Sequence, residues 1–387
     1  MDGINMRIGL MGFEFVSANK GCEALSYAFL GLLRDVGLKN IEIINFTNID
    51  SIGDVSKYYP EYSYRLVKPN YKDISLKIYR LLHSCDVIFD ITMGDSFADI
   101  YSGKSCKNTI LEKRIAELLC KRYVLLPQTY GPFKFKKNED LAMKVISKAT
   151  IVYARDIMSM NYVNQHIAKK EIRLTTDLAF SLPYDKSIYA NMAIHGKTNI
   201  GLNVSGLLWR GGFFDTNQFG LKTNYKDYIY NIIEAISQMD GYVVHLIPHV
   251  IDCSENAHDD DYKISIELSE KYPQLVLAPQ FTNPIGAKSY IANMDCFIGA
   301  RMHSTIGAFS AGVATVPFSY SRKFEGLYNQ LGYEYIIKGT EIETEKAIKQ
   351  TLTYISRRND LSQLISKKME NVDSYLEHFR AELSNMF

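Results

Sequence analysis

What constrains this chain most is its rhythm. Short apolar runs rich in β-formers alternate with longer amphipathic stretches: MRIGLMG at 6–12, IEIINF at 41–46, DVIFDI at 86–91, YVLL at 123–126 and TIVY at 150–153. Near-continuous apolar strands separated by helices are the pattern of βα units around a parallel sheet, because such strands are buried on both faces. After Lys20, the residues Ala24, Leu25, Ala28, Phe29, Leu32 and Leu33 fall on one helical stripe, so helix follows strand. The spacing predicts one doubly wound α/β sheet from the first half alone.

At 387 residues the chain is longer than the roughly 250 to 300 residues at which single cores stop growing, so a second domain is expected. The periodicity lapses from Leu182 to Thr198, around Pro183 and His195, and a second series opens with NIGLNV at 199–204. Further strands are expected near 242–247, 275–277, 295–299 and 314–317, and beyond residue 340 the chain reads as charged helix to Phe387. The predicted organisation is a Rossmann-like domain over 1–190, a second over 191–340 and C-terminal helices over 341–387. This is a GT-B-like plan, in which ligands sit in the cleft that the two domains face, at the carboxyl ends of the strands.

Composition narrows the chemistry. Lys plus Arg number 44 and Asp plus Glu 43, leaving a net charge of +1 and no general attraction for nucleic acid or an anionic bilayer. Any anion must therefore be held by a local cluster. Cys22, Cys85, Cys106, Cys120, Cys253 and Cys296 are scattered, with no C-x-x-C pair, so neither a disulfide framework nor structural zinc is indicated, and a reducing cytoplasm fits. Glu14 interrupts the N-terminal apolar run before it could form a signal peptide, and the uncharged stretch from Ser304 to Ser321 carries Gly307, Gly312 and Pro317, a poor membrane span. The 27 Tyr and 19 Phe leave room for a peripheral apolar surface at the inner face of a membrane.

The densest chemistry lies in IGARMHSTIGAFSAGVATVPFSYSRK, 298–323, where a strand ends at Ile298 and Arg301, Met302 and His303 open the next helix. A guanidinium, an imidazole and helix N-terminal amides converge there on a site suited to phosphate or carboxylate. One βα unit later, Ser321, Arg322 and Lys323 occupy the equivalent turn. Arg155 follows the strand at 150–153, where Asp156 complements the helix dipole and a purely capping role is the plain alternative. The loop 17–25 presents Asn19 and Gly21; 90–103 presents Gly94, Asp95, Ser96 and Asp99; 125–133 presents Gln128, Thr129 and Tyr130. Asp177, and His249 with Asp252, also follow strands. Asp95 and Asp99 suit sugar hydroxyls or proton transfer, and equally suit helix capping. The first turn is not G-x-G-x-x-G, which argues against NAD, and the carboxylates lack metal-ligand spacing, which argues against a metal.

These residues carry a resemblance. GARMHSTIGAFSAGVATVPFSYSRKFEGLYNQLGY, 299–333, resembles the R-x-H-x-x-I-x-A-x-x-x-G-x-P...Y-x-x-K...LG signature of the polysaccharide pyruvyl transferase family, and NKGCEA, PQTYGP, VYARD and TTDLAF are similar to its other recurrent elements in the same order. The resemblance implies transfer of pyruvate from phosphoenolpyruvate, as co-substrate with no further cofactor or metal, onto a pair of sugar hydroxyls to form a cyclic ketal in capsule or exopolysaccharide biosynthesis. It implies that Arg155, Arg301, Met302, His303, Ser321 and Lys323 bind the donor, all but Arg155 from the second domain. The first domain would take a lipid-linked or oligosaccharide acceptor through Asn19, Asp95, Gln128 and Tyr130. His303 would donate a proton while Asp95 or Asp177 takes one from the hydroxyl. The chain departs from the family at Met93-Gly94-Asp95-Ser96 and at Gln128-Thr129-Tyr130-Gly131-Pro132, both in the half assigned to the acceptor. Two other readings stay open: a GT-B glycosyltransferase using a nucleotide sugar, for which Glu325 is the ribose-binding candidate, and a non-catalytic sugar or phosphate-binding protein. The acceptor sugar and the oligomeric state are not legible.

Overall fold

A computed structural model of the chain describes residues 6–68, 76–99, 103–212, 216–252, 254 and 257–387. Among them the first sheet has the strands β1 (Met6–Met11), β2 (Ile41–Phe46), β3 (Ser63–Val67), β4 (Val87–Asp90), β5 (Tyr123–Gln128), β6 (Ile151–Ala154) and β7 (Arg173–Leu174). All pair in parallel, in the order β3-β2-β1-β4-β5-β6-β7. The chain winds outward from β1 to β3 and then returns to the other side of β1, so the order reverses between β1 and β4. In register, Ile8 lies between Ile43 and Val87, all three fully or almost fully buried, which is what the unbroken apolar runs require.

The second sheet repeats the winding with β8 (Thr198–Asn203), β9 (Tyr242–Leu246), β10 (Val276–Leu277), β11 (Cys296–Gly299), β12 (Ala314–Ser319) and β13 (Ile337–Lys338), in the order β10-β9-β8-β11-β12-β13. Its reversal lies between β8 and β11, where Ile298 stands between Leu202 and Val316. The doubly wound α/β class read from the sequence is therefore the fold of both halves. Three strands were not anticipated: β3, β7 and β13. Each lies at or next to a sheet edge, and SYRLV at β3 is partly exposed, so it lacks the apolar continuity that marks a central strand.

By contacts the chain divides into two compact units: Met1–Val16, Leu25–Leu178 and Ser374–Phe387 form the first, Ser17–Ala24 and Ala179–Asp373 the second. The unit boundary thus falls at Leu178, earlier than the predicted 190, and loop 17–24 belongs to the second unit. The helix Lys20–Asp35 follows β1 as expected, with Leu25, Ala28, Phe29, Leu32 and Leu33 on its buried stripe. Its opening residues are held elsewhere: Asn19 bridges Val250 in antiparallel fashion, the Lys20 N–H donates to His249 O (2.9 Å) and the Ile251 N–H to Ala18 O (2.9 Å). At the other end, helices Thr344–Ser356 and Arg358–Ser384 make up the expected C-terminal segment. The last residues pack into the first unit, where the Tyr153 and Phe379 rings lie 5.0 Å apart and Arg173 pairs with Glu382 at 3.2 Å. No described helix is long and apolar enough to cross a membrane.

Candidate functional site

In the second unit, β11 ends in a turn where Arg301 keeps an extended backbone (φ −95°, ψ 122°) and the helix Met302–Ser310 begins. The N–H groups of Met302, His303 and Ser304 precede the first intrahelical bond, from Thr305 N–H to Arg301 O at 3.1 Å. Asn203, at the end of the neighbouring β8, fixes the turn by accepting the Arg301 N–H (3.0 Å). Met302 and His303 are half-buried, and Arg301 is only 7% exposed.

The Arg301 guanidinium is already engaged. Its Nε and Nη2 donate to Asp261 (2.7 to 3.3 Å), Nη1 donates to Asp259 (3.1 Å), and Nη2 also meets Asp259, leaving a single Nη1 hydrogen among the described contacts. Asp261 is fully buried and gathers the Gly206 N–H (2.9 Å), Asn203 Nδ2 (3.1 Å) and the His249 and Val250 N–H groups (3.1 Å each). Burial alone would raise this carboxyl; the Arg301 charge and the hydrogen bonds outweigh it and hold it below the usual carboxylate range. Two carboxylates thus face one guanidinium. Arg301 is an anchor with one N–H to offer, not the unpaired cation that the sequence suggested. The sequence signal for its partners was HDDDY at 258–262, which reads as a solvated acidic run.

Loop 17–24 closes on the same turn. Gly21, in the first turn of its helix, gives its N–H to Asn19 Oδ1 (2.9 Å), and His303 packs directly on it: a Cβ at Gly21 would come within 2.8 Å of His303 Cγ and 2.9 Å of its Cβ. Asn19 is therefore a helix cap on the side of the expected donor turn, not a group of the first unit. Lys20 is buried and spends its ammonium on Glu23 Oε1 (2.7 Å) and Ser17 O (2.9 Å). His249, 4% exposed, is bonded through its backbone to Lys20 and to Asp261, while its ring nitrogens find no hydrogen-bond partner among the described residues. Burial, aided by the neighbouring His303 charge, pushes its pKa down to about 3. After the adjacent β12, Ser321 caps the helix Arg322–Gln330 by position; Lys323 lies in that helix, its side chain outside the described residues.

The remaining expected residues lie in the first unit. Arg155 is 2% exposed and its Nη1 donates to the fully buried Asp177 at 2.9 Å, so Asp177 is a counter-ion and not an accessible base. Gly94, at φ 82°, admits this guanidinium: a Cβ there would lie 3.2 Å from Arg155 Nη1. Asp156 caps its helix through the Ser159 N–H (2.7 Å), the plain role considered for it. Gln128 is fully buried with Nε2 on Asp90 O (3.0 Å) and Leu126 O (3.2 Å), and Tyr130 is 2% exposed with its hydroxyl on Tyr153 O (2.9 Å). Both brace the core and neither presents a group to a sugar. Asp99 receives the Lys134 and Phe135 N–H groups (2.6 and 3.0 Å) and Asn138 Nδ2 (3.2 Å), which fastens the segment that leads into the helix Lys136–Lys148. Asp95 stays half-buried, within reach of Ser96 Oγ (3.3 Å).

One buried cluster escaped the sequence reading. Asp90, at the end of β4, holds Lys113 Nζ at 2.6 Å from both oxygens, accepts from Thr92 Oγ1 (2.8 Å) and meets the Tyr123 hydroxyl. Lys113 sits in ILEKRIAELL, where a lysine between arginine and glutamate looks solvated.

The sequence matches the family described as polysaccharide pyruvyl transferase over residues 19–322. A search of curated proteins found no match. Among solved structures, HepE of Anabaena, determined in complex with UDP-glucose, is similar at 12% identity and a TM-score of 0.59, over 98% of this chain and 100% of that one. The UDP-GlcNAc 2-epimerase of Neisseria meningitidis, bound to UDP-GlcNAc, is similar at 11% identity and a TM-score of 0.57, over 98% of this chain and 99% of that one. Identities this low speak for the fold alone, which is GT-B-like.

Proposed function

The chain belongs to the polysaccharide pyruvyl transferase family, and on that premise we propose that it moves pyruvate from phosphoenolpyruvate onto two hydroxyls of a sugar, forming a cyclic ketal during capsule or exopolysaccharide assembly. The observation that carries the donor side is the Arg301-His303 turn: an imidazole held against Gly21 at the opening of a helix whose first amides face outward from the hydrogen-bond ladder. An anion at that opening gains the amide dipoles and the neighbouring His303 imidazole as a hydrogen-bonding group. Arg301 contributes its one remaining N–H and, through Asp261 and Asn203, the rigidity of the turn. Lys323 is the matching lysine of the next turn.

The chemistry balances without a metal. One hydroxyl oxygen bonds to C2 of phosphoenolpyruvate as C3 gains a proton, an oxocarbenium-like step. The C2–O bond to phosphate then breaks, phosphate leaves with that electron pair, and the second hydroxyl closes the ring on C2. Of the two hydroxyl protons, one ends on C3 and the other on phosphate. In this reading His303 carries them. His249, kept neutral beside it, adds no competing charge.

Calorimetry tests this reading. Wild-type protein binds phosphoenolpyruvate, and His303→Gln lowers turnover by roughly 10² to 10⁴, the range of a lost general acid. Binding of a UDP-sugar with nucleoside diphosphate release, and no consumption of phosphoenolpyruvate, would instead establish the glycosyltransferase reading.

A further inference from the structure

The expected acceptor residues Gln128 and Tyr130 are sealed in the core, yet the first unit has a cavity of about 220 Å³ of its own. It lies just past the ends of β1, β2 and β4, between Met11–Glu14, Phe46–Ile49 and Thr92–Met93, and is closed by Thr109, Glu112 and Lys113 of the helix Gly103–Leu119. This is the point where the strand order reverses, the place where open parallel sheets bind their ligands. We propose that this cavity binds a neutral glycosyl unit, its hydroxyls donating to Glu14 and Glu112. Its identity as the sugar acceptor rests on the transferase reading above; the binding itself does not.

Three observations support it. First, the floor is strained. Thr92 and Met93 hold φ of 45° and 51°, a left-handed conformation uncommon outside glycine and a genuine outlier for the β-branched Thr92. The strain is held in place: the Met93 N–H donates to Gly12 O (2.9 Å), the Thr92 N–H to Asp90 Oδ1 (3.1 Å), and a Cβ on Gly12 would strike the Thr92 backbone at 2.5 Å. Backbone conformations of this kind cluster at active sites and ligand clamps.

Second, the charge of the lining selects against anions. Lys113 is the cation among the described lining residues, and both oxygens of buried Asp90 hold it at 2.6 Å, whereas Glu14 and Glu112 stand without such a partner ion among the described pairs. A phosphate, a carboxylate or a nucleoside diphosphate would meet net negative walls. Sugar hydroxyls are donors and suit them, and Asn48 and Thr47 at the rim add amide and hydroxyl groups. Third, Glu112 is half-buried, and that burial raises its carboxyl above the usual range, so a hydroxyl donor would restore hydrogen bonding that water supplies elsewhere. Phe13 and Phe46 are among the residues that line the cavity and make part of its wall apolar.

The test uses the full chain against an array of neutral, sulfated and carboxylated oligosaccharides, followed by ligand-observed NMR with methyl glycosides of the sugars that bind. Neutral glycans are expected to bind. Glu112→Gln should weaken them about tenfold, as for a hydrogen bond to a charged group, Thr109→Trp should fill the cavity and abolish binding, and Asn48→Ala at the exposed rim should weaken binding with the fold untouched. Phosphoenolpyruvate affinity should stay unchanged in all three. Failure of every neutral glycan to bind wild-type protein, binding that survives both cavity variants, or a preference for the anionic glycans would overturn the proposal. Neutral glycan binding without any consumption of phosphoenolpyruvate would sink the transferase reading and leave this one standing.

Discussion

Replacing Gly21 by alanine separates packing from chemistry at the donor turn. Gly21 lies in the first turn of Lys20–Asp35 with no positive φ, so by helix propensity alone alanine would gain about 1 kcal/mol. The new Cβ would sit 2.8 Å from His303 Cγ and 2.9 Å from His303 Cβ, the root of that side chain and not its flexible end. Restoring van der Waals separations of roughly 3.5 to 4.0 Å requires His303 to move by about 1 Å. Overpacking of this size costs about 1 to 3 kcal/mol, largely offset by the propensity gain. A 1 Å displacement of a reacting group, by contrast, costs about 10² in rate. The expected signature is a small change in urea midpoint with about a hundredfold fall in kcat. Gly307→Ala is the control, since its Cβ would meet Lys288 Cγ at an ordinary 3.7 Å on the same helix as His303, and it should keep full activity. Wild-type kcat in Gly21→Ala would refute the placement of His303 as the reacting group.

Other expectations follow from the buried charges. Asp261→Asn strips the fully buried partner from Arg301 and should cost about 3 to 5 kcal/mol in urea unfolding, while Asp259→Asn, on a more exposed carboxylate, should cost far less. His245 and His249 are held neutral, with burial pushing their pKa values down to about 4 and about 3. Their unfolded pKa lies near 6.5, so above that pH neither affects stability; as pH falls, the unfolded chain takes up protons that the fold refuses. Stability should therefore decline between pH 6.5 and about 4, by about 2 kcal/mol per histidine at pH 5, and His249→Asn should remove close to half of that acid dependence in thermal melts. A flat profile over that window would contradict the buried, neutral assignment.

The central strands were legible because being buried on both faces leaves no polar residue to interrupt them; β2 at 41–46 is bounded as its apolar run is. The edge strands β7 and β13 span two residues each, too few for a periodicity to form. Arg301 and His303 were legible as a motif, but the state of the guanidinium was not. Its partners Asp259 and Asp261 come from the turn after β9, and only the β9-β8-β11 order brings that turn to Arg301. Likewise Asn19 reads as part of the first half by chain position, and only its bridge to Val250 moves it to the second unit. Gln128 and Tyr130 looked like ligand groups because a Pro/Gly-framed loop presents polar side chains outward by default; here both turn inward and satisfy backbone carbonyls. The strained Thr92 could not be found from sequence, since threonine is among the residues least suited to its φ.

The most direct measurement is product analysis with isotope-labelled phosphoenolpyruvate and a neutral glycan that the protein binds. The account predicts that label from the pyruvyl carbons appears in the glycan as an acid-labile ketal, with one phosphate released per ketal formed, and that His303→Gln forms neither. Release of a nucleoside diphosphate from a nucleotide sugar, with the label remaining in phosphoenolpyruvate, would contradict it.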